Sequence, residues 1–133
     1  MPASFLIIED NPANLELVRY LLDAHGYPTL TATTGEDGLR LFASARPDIV
    51  LCDLQLPVLD GYEVLSEIRK DPARGDTMVI AVTAFSMSGD RAKVTAAGFD
   101  GYISKPIDPT TFVQQIESLM RPDLRASRPV PDS

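Results

Sequence analysis

Short apolar runs of strand length recur along the chain, separated by longer segments of mixed polarity. Three continuous runs cover residues 5–8, 49–52 and 78–82, and two weaker strands are predicted over 29–32 and 101–104. Short, continuous apolar runs are typical of strands that are covered on both faces, so this pattern indicates a parallel sheet.

Amphipathic segments with helical spacing fill the gaps between the predicted strands. The five predicted helices cover residues 12–25, 35–44, 61–70, 89–97 and 109–120. Pro12 lies in the first turn of the first helix, and Gly26 and Gly98 follow two helix ends. Thr33 and Thr34 form the cap signal of the second helix, and Asp108 is the predicted cap of the fifth.

Strands that alternate with helices predict a doubly wound α/β fold. Right-handed crossovers place helices on both faces of the sheet, which gives three layers. The common strand order of such a sheet is 2-1-3-4-5. We expect one domain over residues 1–120 and a disordered tail over 121–133, because the tail contains three prolines, three arginines and little apolar content.

Length and charge limit the classes of partner. The chain has 133 residues and a formal net charge of −7. Since nucleic-acid binders usually show a basic patch, direct contact with nucleic acid is not expected. No apolar run approaches the roughly 20 residues that span a bilayer, so we expect a cytoplasmic protein without membrane contact. The one cysteine, Cys52, lies in an apolar run and is expected to be a buried thiol.

Polar side chains of complementary chemistry follow the predicted strands. Glu9 and Asp10 follow the first strand, Asp53 the third, Thr83 the fourth and Lys105 the fifth. Functional groups in an open parallel sheet gather at the carboxyl ends of the strands, next to the point where the strand order reverses. We therefore expect these five residues to lie in one crevice.

Each of these residues also has a simpler interpretation. Asp10 and Asp53 could cap the helices that follow them, Thr83 could be an ordinary strand end, and Lys105 could be a solvated loop charge. Their convergence at one edge of the sheet favours a shared site over separate structural roles.

Carboxylates that lie this close together need a counter-charge. Two like charges about 4 Å apart repel by roughly 4 kcal/mol at an effective dielectric constant of 20. Mg²⁺ prefers oxygen ligands, and Mn²⁺ could substitute for it. Asp10, Asp53 and the backbone carbonyl of Gln55 could bind the ion directly, with Glu9 acting through a water. No histidine or second cysteine is nearby, so zinc is not expected.

At this point the sequence resembles the response-regulator receiver family over residues 5–119. The motifs that carry the resemblance are IIEDN (7–11), VLCDLQLP (50–57), DG (60–61), VTA (82–84) and YISKP (102–106). The chain looks most like single-domain regulators of the cell-division type. The resemblance implies a flavodoxin-like fold and a phosphoacceptor role in a two-component or phosphorelay system.

The resemblance also implies roles for individual residues. Asp53 would be the nucleophile that becomes an acyl phosphate. Lys105, the Thr83 hydroxyl and the backbone amide of Ala84 would contact the phosphoryl oxygens, and the Lys105–Pro106 peptide would be cis. The only enzymatic activity implied is self-phosphorylation and autodephosphorylation at Asp53.

The phosphoryl group should come from another protein. The only histidine, His25, lies at the end of the first predicted helix, away from the crevice. The expected donor is therefore a sensor histidine kinase or a histidine phosphotransfer protein. For the output, we expect Thr83 to move towards the phosphoryl group and Tyr102 to rotate inward, altering a target-binding face on helix four, strand five and helix five.

The first helix has more apolar residues than one buried stripe needs. Leu17, Val18 and Leu21 have the spacing expected of the core side, which leaves Leu15 on the flank near the crevice. We predict that this flank docks the donor's histidine-bearing helix. The predicted docking residues are Asn14, Leu15, Pro106 and Ile107.

Other functions fit the sequence less well. A stand-alone signalling module is preferred, and a receiver excised from a hybrid histidine kinase or a multidomain regulator is the close alternative. A Mg²⁺-dependent phosphatase with an aspartyl nucleophile would need an Asp-x-Asp pair after the first strand, where this chain has Glu9-Asp10-Asn11. A flavin-binding module is disfavoured because acidic residues after the first strand would repel a phosphate that lacked a metal.

Overall fold

Strands and helices alternate along the whole described part of the chain. The computed structural model describes residues 3–84 and 88–120, with the backbone alone at 88–90. The strands are β1 (Phe5–Ile8), β2 (Thr29–Ala32), β3 (Ile49–Asp53), β4 (Met78–Thr83) and β5 (Gly101–Ser104). The helices are α1 (Pro12–Ala24), α2 (Gly35–Ala45), α3 (Gly61–Arg69), α4 (Ser88–Ala97) and α5 (Phe112–Leu119).

The strands form one parallel sheet in the order β2-β1-β3-β4-β5. The predicted fold class and strand order are therefore confirmed. Within β1, Phe5 and Ile7 belong to one apolar cluster and Leu6 and Ile8 to the other. Both faces of this strand are thus covered, which explains why its sequence is continuously apolar rather than alternating.

Each apolar cluster belongs to one face of the sheet. The first cluster includes buried residues of α1 and α5, and the second includes residues of α2, α3 and α4. The helices therefore cover both faces and form the outer layers of a three-layer fold. Loops form the carboxyl edge of the sheet, and the polar residues predicted for the site lie at this edge.

The fifth helix begins later than predicted. The expected range was 109–120 with Asp108 as the cap, but α5 begins at Phe112. The carboxylate of Asp108 instead accepts from the amide (3.0 Å) and the hydroxyl (2.7 Å) of Thr110. The Phe112 amide donates to the Asp108 carbonyl at 2.9 Å. Asp108 thus closes a turn that precedes the helix, because its short side chain bonds the backbone two residues on.

The buried face of α1 also differs from the prediction. Val18 and Leu21 are buried as expected, but Leu15 and Leu22 are buried with them, and Leu17 is only partly buried. Residues 15, 18 and 22 are spaced by three and four positions and so share one side of a helix. The expectation that Leu15 lies on an exposed flank is therefore wrong.

Two further expectations concern the C-terminal tail and contact with a membrane. The predicted disordered tail over 121–133 lies outside the described residues. Among the described residues, no helix combines the length and the apolar character needed to cross a bilayer.

Candidate functional site

The carboxyl ends of four strands bring the predicted site residues together. Asp53 is the last residue of β3, and Glu9 directly follows β1, the strand that pairs with it. Thr83 is the last residue of β4. Lys105 follows β5, and its amide donates to the Thr83 carbonyl at 2.7 Å. Strand register alone therefore places all four residues at one edge of the sheet.

Lys105 reaches across the end of β4 to two carboxylates. Its Nζ lies 2.9 Å from Glu9 Oε1 and 3.1 Å from Asp53 Oδ2. Glu9 and Asp53 are each only 4% exposed. These are charge-assisted contacts shielded from solvent, which are stronger and better fixed than surface ion pairs. The contact between Lys105 and Glu9 was not predicted, because it depends on the side chain crossing an intervening strand.

Other residues cap the helices that follow the acidic residues. Asn11 is the N-cap of α1, and its side chain accepts from the Asn14 amide at 3.0 Å. Asp60 is the N-cap of α3 and forms a capping box with Glu63. The simpler interpretation, in which Asp10 and Asp53 serve as helix caps, is therefore wrong.

The loop between β3 and α3 is fixed close to Asp53. The Gln55 amide donates to Asp53 Oδ1 at 3.0 Å, which orients the carboxylate from the side opposite Lys105. At Gly61, a Cβ atom would come within 2.6 Å of the Asp53 carbonyl oxygen and 2.8 Å of Leu54 Cα. Only glycine permits this close approach of α3 to the strand end, because both clashes are with backbone atoms.

At this cluster, burial disfavours the ionised forms of Glu9 and Lys105, while the opposite charges of the two groups favour them. The pKa of Glu9 is raised to about 7, mainly by burial; contacts with Lys105 and the Asn11 amide lower it, and the neighbouring Asp53 raises it. For Lys105, burial lowers the pKa, but the two carboxylates outweigh that effect and hold its pKa above the ordinary value. The ammonium is therefore charged at neutral pH.

Three carboxylate groups are close enough to bind one cation. Oxygens of Glu9, Asp10 and Asp53 all lie within 4.8 Å of one another. Two ligands on opposite sides of Mg²⁺ would be separated by about 4.2 Å, since each bond is about 2.1 Å. The spacing within the group is close to this separation, and all its donors are oxygens, so the group fits a hard divalent cation. Asp10 is exposed, so the group is accessible to solvent at this residue.

The remaining predicted residues have varied environments. The Lys105–Pro106 peptide is cis. Thr83 is fully buried, and Ala84, which follows it, is exposed. Tyr102 is partly buried, and the guanidinium carbon of Arg91 lies 5.2 Å from the centre of its ring. This cation–π contact was not predicted, because it exists only once α4 packs on β5.

The predicted docking residues do not form one exposed surface. Leu15 and Ile107 are each only 8% exposed and belong to the same core cluster. Asn14 is partly buried, and Pro106 is exposed. Leu15 and Ile107 are part of the core, so they are not available to a partner. The docking prediction can therefore rest only on Asn14 and Pro106.

Three other titratable residues make structural contacts or are buried. Asp48 precedes β3 and accepts from the amide (2.9 Å) and the hydroxyl (3.2 Å) of Ser4 at the opposite end of the sheet. The thiol of Cys52 is buried, and burial raises its pKa. His25 Nδ1 lies 2.9 Å from the Leu21 carbonyl at the end of α1.

Comparison with protein families gives one match over most of the chain. The family model described as the response regulator receiver domain matches residues 5–117. The polar-differentiation response regulator DivK of Brucella anthropi is 42% identical over 120 residues, which are 90% of this chain and 98% of that protein. DivK of Brucella ovis is 40% identical over 120 residues, with the same coverage of the two chains.

Solved structures agree with these relatives. The chemotaxis response regulator CheY4 of Vibrio cholerae has a TM-score of 0.85 at 24% identity, covering 90% of this chain and 100% of that chain, and shows the fold alone. The receiver domain of the sensor histidine kinase PA1611 of Pseudomonas aeruginosa has a TM-score of 0.78 at 32% identity, covering 90% and 98%. That structure has a magnesium ion coordinated in its active-site cleft.

Proposed function

The chain belongs to the response regulator receiver domain family, and from this premise we propose that Asp53 is the residue that accepts the phosphoryl group. The chain is a two-component receiver domain of the CheY and DivK type. Such domains interact with histidine kinases or phosphotransfer proteins and with downstream targets. Its proposed catalytic activity is limited to its own phosphorylation and dephosphorylation.

The position of Asp53 carries this proposal. Its two carboxylate oxygens have different partners, with Oδ1 bound by the Gln55 amide and Oδ2 by Lys105. A carboxylate oriented from both sides is held for attack in one direction, and phosphoryl transfer depends mainly on such positioning and on charge stabilisation. Asp10 is more exposed. Glu9 is held in a similar way, by Lys105 and by the Asn11 amide, but its pKa is raised to about 7, so at neutral pH it is less fully ionised than an ordinary carboxylate and is a poorer nucleophile.

In the proposed reaction, a carboxylate oxygen of Asp53 attacks the phosphorus of a phosphohistidine on the partner. A P–O bond forms and gives an acyl phosphate. The P–N bond breaks, and its electron pair stays on the imidazole nitrogen, which takes up a proton from solvent. The ammonium of Lys105 would then hold one phosphoryl oxygen, and the Thr83 hydroxyl and Ala84 amide would receive another.

The charge of the site supports a divalent cofactor. With all three carboxylates ionised, Glu9, Asp10, Asp53 and Lys105 together carry a formal charge of −2. We propose that Asp10, Asp53 and the Gln55 carbonyl hold Mg²⁺, with Glu9 acting through a water. Bound there, the ion would neutralise charge on the entering phosphoryl group. The magnesium ion in the similar PA1611 receiver domain supports this assignment.

Removal of divalent ions should slow phosphorylation by acetyl phosphate by about tenfold or more, because the carboxylates would repel the incoming donor. Intact-mass measurement of the phosphorylated fraction over time, with EDTA and with Mg²⁺ or Mn²⁺, tests this expectation. Asp10→Asn should raise the Mg²⁺ concentration at half-maximal rate by about tenfold. Asp37→Asn, on the surface of α2, is the matched control and should not. Equal rates in EDTA and Mg²⁺ would contradict the metal assignment.

We further propose that Tyr102 transmits phosphorylation to the face formed by α4, β5 and α5. The ring lies on β5 under Arg91 of α4, so its rotation would alter how these two elements pack. Tyr102→Ala should reduce by about half or more the phosphorylation-dependent amide shifts over Gly101–Ser104 and Phe112–Leu119, measured by NMR. Tyr102→Phe keeps the ring and is the control. Undiminished shifts in Tyr102→Ala would refute the switch.

Two other expectations stay as proposals. Docking of the donor at Asn14 and Pro106 is supported by their positions in the chain, since Asn14 lies in the first turn of α1 and Pro106 directly follows Lys105. Asn14→Arg should slow phosphoryl transfer from a phosphohistidine protein and leave the rate with acetyl phosphate unchanged. Leu15→Asp would not be a test, because it would put a charge into the core. A stand-alone signalling role is supported by the DivK relatives, which this chain matches over 98% of their length.

A further inference from the structure

The strand β2 forms one edge of the sheet and carries no charged side chain. Its residues are Thr29, Leu30, Thr31 and Ala32, and the sheet ends beyond it. Edge strands are commonly protected against pairing with another chain by charged residues or proline. Here the exposed side chain is apolar, because Leu30 is 38% exposed. Apart from its short length, this edge therefore lacks the usual protection.

The hydrogen bonds to β1 show which backbone groups of β2 face outward. The Pro28 and Ala32 carbonyls accept, at 2.9 and 3.0 Å, from amides of β1 and of the residue that follows it. Backbone groups of successive residues point to opposite sides of a strand, so Leu30, midway between these two, also faces β1. The amides and carbonyls of Thr29 and Thr31 thus point away from the sheet.

We propose that β2 pairs with β2 of a second copy of this chain, antiparallel about a two-fold axis at Leu30. In this register Thr29 lies opposite Thr31 of the second copy, and each such pair exchanges both N–H···O bonds. Leu30 lies opposite Leu30 of the second copy on the same face, so each covers the other's apolar side chain. The two sheets become one continuous sheet, and the symmetry closes the assembly at a dimer.

Charged residues of α1 beside this edge favour a second copy as the occupant. Asp23 Oδ1 accepts from the Thr29 hydroxyl at 2.8 Å, so this side of the helix flanks β2. Arg19 Nη1 lies 3.8 Å from Asp23 Oδ2, and both side chains are 45% exposed. A two-fold axis perpendicular to the sheet places α1 antiparallel beside α1 of the second copy. A helix side with both charges can then be complementary to itself.

The register of the helix agrees with that of the strand. Thr29 is one strand residue from the axis, about 3.3 Å, which corresponds to about two residues of a helix that rises 1.5 Å per residue. Since Asp23 contacts Thr29 and α1 runs opposite to β2, the helix passes the axis near residue 21. Residue 21 is midway between Arg19 and Asp23. The two-fold axis therefore brings Arg19 of each copy opposite Asp23 of the other.

The opposite edge of the sheet does not offer the same pairing. On β5, Ile103 is only 4% exposed, and the guanidinium carbon of Arg91 lies 5.2 Å from the centre of the Tyr102 ring. A two-fold axis there would cover no exposed aliphatic side chain. Pairing of β2 with β5 of another copy would leave one free edge at each end and give an open chain instead of a dimer.

The interface is small, so we expect a weak dimer with a Kd of about 100 µM. Sedimentation velocity between about 10 µM and 1 mM protein should show conversion from monomer to dimer. Leu30→Lys places like charges opposite each other at the axis, and Thr31→Pro removes an outward N–H without removing a bond to β1. Each should raise the Kd by about tenfold or more. Val58→Lys, at an exposed apolar residue (91%) between β3 and α3, is the matched control and should match wild type.

A cysteine at the axis tests the register directly. Facing residues in this position of an antiparallel pair have Cα atoms about 4.5 Å apart, within the range that a disulfide spans. Leu30→Cys should therefore form a disulfide-linked dimer about tenfold or more faster than Val58→Cys under oxidised glutathione. The native Cys52 is fully buried and does not compete.

The inference goes beyond the proposed function, and its failure is distinguishable from that of the function. Asp53→Asn, which cannot be phosphorylated, should dimerise as wild type does. A wild-type chain that stays monomeric up to about 1 mM would overturn the inference, as would a Kd that changes in neither Leu30→Lys nor Thr31→Pro. Masses that grow beyond a dimer, or a Leu30→Cys chain that links no faster than Val58→Cys, would contradict the two-fold register. Melting temperatures identify an unfolded variant, and Leu30→Lys alone then decides if Thr31→Pro does not fold.

Discussion

Asp53→Asn should abolish phosphoryl uptake from acetyl phosphate, to below about 1% of the wild-type level, while the chain stays folded. The amide cannot form the acyl phosphate. Glu9 is also bound by a backbone amide and by Lys105, but its pKa is raised to about 7, so it is a poorer nucleophile than a fully ionised carboxylate. Asparagine keeps an oxygen that can accept from the Gln55 amide. Lys105 also keeps Glu9 as a partner, so the fold does not lose its local contacts.

The matched control for this substitution lies on the same loop. Asp60→Asn makes the same chemical change at the N-cap of α3, where asparagine caps as well as aspartate does. Intact-mass measurement after incubation with acetyl phosphate and Mg²⁺ should show one added phosphoryl group in wild type and Asp60→Asn, and none in Asp53→Asn. Wild-type labelling of Asp53→Asn would show that another residue is the acceptor.

Lys105→Met should slow phosphorylation by about 100-fold, because it removes a cation that contacts both buried carboxylates. Methionine has a similar length and no charge, so the loss is electrostatic rather than steric. Glu9 and Asp53 would then repel each other and the phosphodonor without a counter-charge. The initial rate with acetyl phosphate, measured by intact mass at saturating Mg²⁺, gives the size of the effect.

A second measurement separates this electrostatic role from a packing role. In Lys105→Met, Mg²⁺ should raise the melting temperature more than in wild type, since the ion would be the only positive charge left among the carboxylates. Lys70→Met is the control, because Lys70 pairs with Glu67 on the exposed surface of α3. A Mg²⁺-induced shift no larger than in wild type, together with an unchanged rate, would remove Lys105 from the mechanism.

Much of the fold could be predicted because local and global signals agree. Apolar runs with no alternation indicated strands covered on both faces, and Pro12, Gly26 and Gly98 marked helix ends close to where they occur. The strand order then followed from the common topology of such sheets. Once the order was set, residues after different strands had to meet at one edge, so the crevice itself could be predicted.

The errors lie where tertiary packing decides between equivalent local patterns. The first helix contains several apolar residues, and more than one set of them has helical spacing, so the sequence could not determine whether Leu15 or Leu17 is buried. Tertiary packing includes Leu15 among the buried residues of the first apolar cluster and leaves Leu17 only partly buried against it. The start of α5 was missed because Asp108 can bond either a helix terminus or the turn at Thr110, and both use the same short side chain.

Other features had no signal in the sequence. The ion pair of Lys105 with Glu9 and the contact of Arg91 with Tyr102 each join residues whose meeting depends on how distant elements pack. The positive φ of Val58 runs against its residue type, since valine predicts an extended backbone. Conflicts of this kind between local preference and the fold are expected at functional or strained positions.

The central claim is that the phosphoryl group is carried by Asp53 and by no other residue. The most direct test phosphorylates the chain in Mg²⁺, reduces it with borohydride, which converts an aspartyl phosphate to homoserine, and locates the change by peptide mass spectrometry. Homoserine at position 53 alone is the predicted result. Homoserine at position 10, or phosphate that survives reduction on a different type of side chain, would contradict the account.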